Sequence, residues 1–199
     1  MISLEEGLNE HGLAVAMTFL VPTMIVLGIN SLFLVRYLLE KCATTKEAIN
    51  ALQGWPIPSA CNIILADKMG DMVVAECTPV KLFIRKPATD ENFIIAANHF
   101  PSDEMKSHNA SDWNIFSSDT RYKTAQNALR EIGHENGIEY AQDILGGKYG
   151  FMCQYDKQLN FDTIWSSVID ISNNKIYRAE GNPLKARFME DNRSKLLDR

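Results

Sequence analysis

At 199 residues the chain is long enough for one domain and can bury roughly 70% of its unfolded surface, so its core needs no disulfide or metal staple. The 46% hydrophobic and 23% charged residues are those of a globular protein, and 20 basic against 25 acidic residues (net charge -5) leave no basic footprint for nucleic acid. The longest apolar stretch, residues 13–27, is broken by Thr18, Pro22 and Thr23 and is shorter than the roughly 20 residues of a membrane helix, while Glu5 and Glu6 replace the basic start of an export signal; no membrane partner is expected, and the cytoplasm is the default compartment.

A polar turn, NEHG, at residues 9–12 feeds the apolar run 13–20, which reads as a buried strand with no partner strand before it. SLFLVRYLLEK (31–41) is a helix with a broad apolar face. Thr44 with Glu47 fits a capping box for a second helix, whose Ala48, Ile49 and Leu52 share a face before Gly54 and Pro56 stop it. Four strand-like runs follow: 61–66 (CNIILA), 72–77 (MVVAEC), 80–85 (VKLFIR) and 93–97 (FIIAA), the first two joined by the hairpin signal DKMGD. A helix is expected from Ser118 or Asp119, with Tyr122, Ala125, Ala128, Leu129 and Ile132 on one side. A shorter one covers about 138–145 and ends at Gly146-Gly147. FDTIWSSVIDI and KIYRAE make a last hairpin around Asn173-Asn174, and 184–199 is a weakly patterned tail. The pattern is α+β, helices on largely antiparallel sheets in a single domain over 1–199.

The four cysteines, Cys42, Cys61, Cys77 and Cys153, form no CxxC pair and are expected as free thiols, three of them in the core, with Cys153 in KYGFMCQYD the most exposed. A Cys61–His99 pairing is conceivable, although no spacing requires it. His108 and His134 sit in polar surroundings without carboxylate-rich metal spacing, so neither metal nor cofactor is expected. Trp55, Trp113 and Trp165 read as packing residues, with WNIF (113–116) in a long loop that could serve as a substrate lid.

Several of these stretches resemble one family in the right order along nearly the whole chain. GLNEHGLAVAMTF, NIILADKMGDMVVAECTP, FIIAANHF, SSDTRYKTA and FDTIWSSVIDISNNKIYRAEGNP are similar to segments of the linear-amide C–N hydrolases. That grouping holds choloylglycine (bile-salt) hydrolases, penicillin V acylases and, closest to this chain, acyl-coenzyme A:6-aminopenicillanate acyltransferase-like proteins. The resemblance implies an N-terminal-nucleophile hydrolase fold with layers α, β, β, α. It also implies a mature chain beginning with Cys, whose thiolate attacks an amide carbonyl while its own α-amine, with a free pKa near 8, acts as base. Met1-Ile2-Ser3-Leu4 offers no such residue, and GLNEHGL ordinarily follows the nucleophile by several dozen residues. The expectation is therefore a partial αββα sandwich lacking its first strands, with the nucleophile absent from the chain.

The resemblance carries three residues into the site. Asn98, at the end of FIIAA, matches a catalytic asparagine whose amide would donate to an oxyanion; read from the chain alone, it is equally a strand-end asparagine satisfying its own turn. Arg121 matches a conserved family arginine, and its place in the first turn of a helix, against the dipole, calls for compensation from Asp119 or a pocket carboxylate. Thr18 falls where bile-salt hydrolases have a second oxyanion asparagine, and it offers one hydroxyl donor or serves simply as a strand threonine. Two classes of function follow. One is an enzyme that hydrolyses or transfers the acyl group of a small-molecule amide or acyl donor, with a complementing N-terminal segment supplying the cysteine. The other is a non-catalytic product, either an inactive truncated fragment or a small-molecule-binding domain. An unpaired edge beside residues 13–20 would favour a homodimer.

Overall fold

The first turn closes on its own asparagine. Asn9 Oδ1 accepts the amides of His11 and Leu13, both at 3.0 Å, and its Nδ2 donates to the carbonyls of Leu39 (3.0 Å) and Cys42 (2.7 Å), with Gly12 at φ +81° completing the reversal. The computed structural model describes residues 4–131, 137–155 and 161–193 and divides into two units, Met1–Tyr122 and Lys123–Arg199. In the first unit the turn returns β1 (Glu6–Leu8) along β2 (Leu13–Phe19), with Glu6 opposite Ala16 and Leu8 opposite Ala14. The run at 13–20 therefore has a partner on its N-terminal side, contrary to the expectation of an unpaired edge. Three residues are too few to show alternation, and Gly7 lets them pass beneath the next helix, since a Cβ there would lie 2.7 Å from Leu39 Cδ1.

The sheet continues through β3 (Cys61–Asp67), β4 (Met72–Cys77) and β5 (Leu82–Arg85), antiparallel throughout, in the order β1-β2-β3-β4-β5. Between β2 and β3 come α1 (Ser31–Lys41), capped by Asn30, and α2 (Thr45–Gln53), capped by Thr44. The expected capping box forms, in that Thr44 Oγ1 accepts from Glu47 N at 3.2 Å, while the Glu47 carboxylate reaches one residue further back, to Ala43 N at 2.7 Å. One face of the sheet, with Leu13, Val15, Ile63, Leu65, Val73 and Ala75, packs with Leu34, Val35, Leu38 and Leu52 of the helices into the main core. Register puts every second residue on the other face. There Thr18 lies opposite Asn62, Asn62 opposite Glu76, and Glu76 opposite Phe83, which makes a polar row across three strands.

Among the described residues, 93–97, expected as a strand, pair with no neighbour in a ladder, and an isolated bridge joins Ala97 and His99. In the second unit α3 (Ser118–Arg130), begun in the first, is followed by α4 (Gly137–Leu145) and the antiparallel order β6 (Trp165–Asp170), β7 (Lys175–Glu180), β8 (Met189–Glu190). The segment after Pro183 thus contributes a third strand, with Met189 opposite Arg178. Ile132 and His134 lie outside the described residues.

Candidate active site

The polar row holds the irregular 93–102 segment by side chains. Arg85 Nη2 donates to Ile95 O (2.5 Å), Thr18 Oγ1 to Ala97 O (2.7 Å), and Asn62 Nδ2 to Ala97 O (2.9 Å), His99 O (3.1 Å) and Thr18 Oγ1 (3.1 Å). Glu76, fully buried, accepts from Arg85 Nε at 2.6 Å and from the Ser102 hydroxyl, so its charge is paired and both its oxygens are engaged. Asn109 closes the far end with reciprocal 2.9 Å bonds to the amide and carbonyl of Phe100. A strand would have left Asn98 to the alternation of the pleat. Here it stands out between the two bridged residues.

Asn98 Nδ2 donates to Phe19 O at 2.7 Å, and its Oδ1 accepts from Arg121 Nη2 at 2.6 Å. An amide carries two N–H donors, and the second has no acceptor among the described residues. Arg121 Nε donates to Phe116 O at 2.8 Å. Two neutral oxygens thus take part in offsetting the helix-dipole cost of about 0.3–1 kcal/mol. Phe116 and Ser117 precede α3 at φ 54° and 53°, two consecutive left-handed residues without glycine, the first closing the WNIF stretch that could serve as a substrate lid. Asn98, Arg121 and Thr18 are therefore brought to one place. Asn98 and Arg121 touch, and Thr18 holds the residue before Asn98 through its single hydroxyl proton.

His99 turns away from this group. Its Nδ1 is 2.7 Å from Ser118 Oγ, and its buried ring lies 4.8 Å from that of Trp113 and 5.5 Å from that of Tyr122. The conceivable pairing with Cys61 does not form, because Cys61 projects to the helix-covered face of β3 and Asn62 to the other. All four cysteines are free and buried. Cys153, expected as the exposed one, is 2% exposed, because Gln154 ties the loop to Gly147 and Gly150 while Asn182 donates to the Cys153 carbonyl. Burial pushes the thiols of Cys42 and Cys153 up, and the neighbouring Cys61 thiol followed by burial pushes that of Cys77 well up, so no activated thiolate is present among these three. Among the described residues no group of three or more His, Cys, Asp or Glu side chains could hold a metal ion, and no helix is long and apolar enough to cross a membrane. A cavity of about 550 Å³ beside the start of α2, lined by Thr45, Ile49, Met72 and Lys86, includes none of the three residues.

The residues missed by sequence reasoning are Asn62, Glu76 and Ser102. A polar residue inside CNIILA and a carboxylate inside MVVAEC were the available signals, since each breaks an apolar strand on the face away from the helices.

The family model of acyl-coenzyme A:6-aminopenicillanic acid acyl-transferase matches residues 1–185. The chain belongs to this acyl-transferase family. Solved structures of similar fold include an acylase and a hydrolase. Penicillin V acylase from Agrobacterium tumefaciens aligns at a TM-score of 0.69 and 20% identity, over 98% of this chain and 67% of that one. A variant of conjugated bile acid hydrolase from Clostridium perfringens aligns at 0.65 and 14% identity, over 97% and 74%. No curated protein matches the chain significantly. The two antiparallel sheets and accompanying helices of this acyl-transferase family member are consistent with the N-terminal-nucleophile hydrolase fold.

Proposed function

We propose that these residues form the oxyanion-binding part of an N-terminal-nucleophile enzyme that hydrolyses, or transfers the acyl group of, a linear non-peptide amide. The observation that carries this reading is the 2.6 Å bond from Arg121 Nη2 to Asn98 Oδ1. It fixes the amide plane, and a guanidinium on the oxygen draws electron density from the nitrogen, so the remaining N–H becomes a stronger donor. Placed about 2.7–3.1 Å from a tetrahedral oxyanion, such a donor stabilises the transition state more than the substrate. Thr18, its proton already donated to Ala97 O, acts as a positioning residue. Attack requires a thiolate whose own α-amine removes the proton. All four cysteines here are internal and buried, so the nucleophile is assigned to an N-terminal cysteine outside these 199 residues, on a complementing segment in cis or in trans.

The same burial favours a second reading, a small-molecule-binding domain or catalytically inert fragment that keeps the fold. Purified chain is incubated with phenoxymethylpenicillin, glycine-conjugated bile acids and N-acyl-homoserine lactones, and intact mass is followed for an acyl adduct. The expected result is no adduct, and turnover once a Cys-initiated segment is supplied. Asn98→Ala then lowers kcat by roughly 100- to 1000-fold. An adduct on any of the four cysteines, lost on its change to alanine, overturns the assignment. Binding without turnover in the complemented protein selects the second reading.

A further inference from the structure

Between β2 and α1 the chain exposes four consecutive apolar side chains, Met24 (48%), Ile25 (72%), Val26 (43%) and Leu27 (97%). Other large exposed apolar side chains, such as Met69 and Val80, are scattered singly, as on ordinary surfaces. A run of this kind in a polar loop position contradicts the usual patterning unless something covers it. Nor is the loop free to fold inward. Val26 N donates to Pro58 O (2.9 Å) and Ile29 N to Pro56 O (3.0 Å), and Gly28 sits so close that a Cβ would lie 2.4 Å from Pro56 O. The projection is held rigid, with its side chains outward.

Two residues further on the surface becomes concave. A groove of about 400 Å³ is lined by Ile29, Phe33, Leu34, Tyr37 and Trp55, the last two rings edge to face at 5.2 Å. Its charged lining residues are Arg36 and Glu40, joined at 2.6 Å, so the face is neutral in a chain of net charge -5. We infer that this face docks a second copy of the chain, Leu27 of each copy entering the Phe33–Tyr37–Trp55 groove of the other across a two-fold axis.

Three observations select a second copy. Projection and groove lie within a few residues of each other on one chain, which is the self-complementarity that an isologous contact demands. Arg36 and Glu40 give each rim one charge of each sign, so about a two-fold axis cation meets anion in both directions, whereas an anionic bilayer would meet a net negative protein. The exposed surface of Met24–Leu27 and Phe33 is on the order of 600 Å², at about 200 Å² for a large apolar side chain. With the groove rim this approaches the roughly 800 Å² per partner of a standard interface.

Sedimentation equilibrium of the 199-residue chain, from about 1 to about 100 µM, tests the inference. The expected result is a reversible dimer. Leu27→Asp, at a position 97% exposed, and separately Phe33→Ala, in the groove wall, each raise its dissociation constant by about 30-fold or more, while the circular-dichroism melt of Leu27→Asp is unchanged. A wild-type monomer throughout the range overturns the inference. So does a dimer indifferent to both substitutions. A monomer that floats with uncharged phosphatidylcholine vesicles assigns the face to lipid and overturns it equally.

Discussion

Asn62→Leu removes the side chain that holds both residues flanking Asn98. Asn62 Nδ2 shares its two N–H groups among three contacts, to Ala97 O, His99 O and Thr18 Oγ1, and at up to about 1.5 kcal/mol net for each N–H their loss costs about 3 kcal/mol. Two features reduce this. Ala97 O keeps its 2.7 Å bond from Thr18, and Asn62 Oδ1 is buried without a partner, so deleting it recovers about 1–2 kcal/mol of desolvation. The net expectation is a loss of about 1–2 kcal/mol, or roughly 2–8 °C in Tm for a chain of this length. Asn62→Asp is the contrasting case. It turns a carboxylate toward two carbonyls and leaves a buried charge unpaired, at a cost of about 3–5 kcal/mol. Urea unfolding at neutral pH measures both variants, and amide exchange over residues 95–100 locates the damage. A cost near 3 kcal/mol for Asn62→Leu would refute the relief from the orphaned oxygen. An Asn62→Asp variant no worse than Asn62→Leu would refute the donor role altogether.

Removing one partner of the buried Glu76–Arg85 pair, as in Arg85→Met, should cost about 3–5 kcal/mol, and the double variant with Glu76→Leu should cost less than the two single losses together; a denaturation cycle that adds without coupling counts against the pair. Arg121→Ala should lower kcat of a Cys-complemented protein by about 10- to 100-fold, with a stability loss within about 1 kcal/mol, because it frees the Asn98 amide to rotate; unchanged kcat with a lower Tm would make the arginine merely structural. Hydrogen bonding from Arg193, together with its charge and that of Arg178, overcomes burial and pulls the Asp191 carboxyl down from 3.8 to about 2. A depressed folded pKa contributes stability that is full above about pH 4 and lost as pH falls toward 2, so wild type and Asp191→Asn should differ by about 1 kcal/mol at neutral pH, discounted because Arg193 is 63% exposed, and converge in acid. A thiol-reactive dye should label none of the four cysteines in the native chain and all four in urea, and rapid native labelling of Cys153 would contradict its burial.

Much of the scaffold could be read because local signals and tertiary structure agree. Residues 31–41 alternate at the helical period and carry an asparagine cap, and DKMGD joins two β-branched runs, so α1 and the β3–β4 hairpin appear where expected. FIIAA failed for the opposite reason. Its composition favours a strand, but its carbonyls are taken by Arg85, Thr18 and Asn62, and side chains arriving from distant strands leave no periodic trace in the segment they hold. β1 was missed because its pairing depends on the four contacts of one asparagine side chain. Asn98 and Arg121 could be matched to a site through family resemblance, but their mutual bond, and the role of Asn62 beneath them, are products of register. Cys153 was misplaced because polar neighbours suggested exposure, whereas Gln154 turns its amide inward onto the loop that buries the thiol.

The stitching of residues 93–102 has a consequence in time. The contacts that fix this segment span 79 residues from Thr18 to Ala97, 79 from Phe19 to Asn98, 35 from Asn62 to Ala97 and 23 from Asn98 to Arg121. Each closes a long loop, and each needs the sheet already assembled before its donor has a fixed direction. The β3–β4 hairpin and the two helices can form from near neighbours while the chain is still emerging. Asn98 cannot take its place until the helix start at Ser118–Arg121 has also left the ribosome, so in the first unit the candidate site is the last part to acquire its shape.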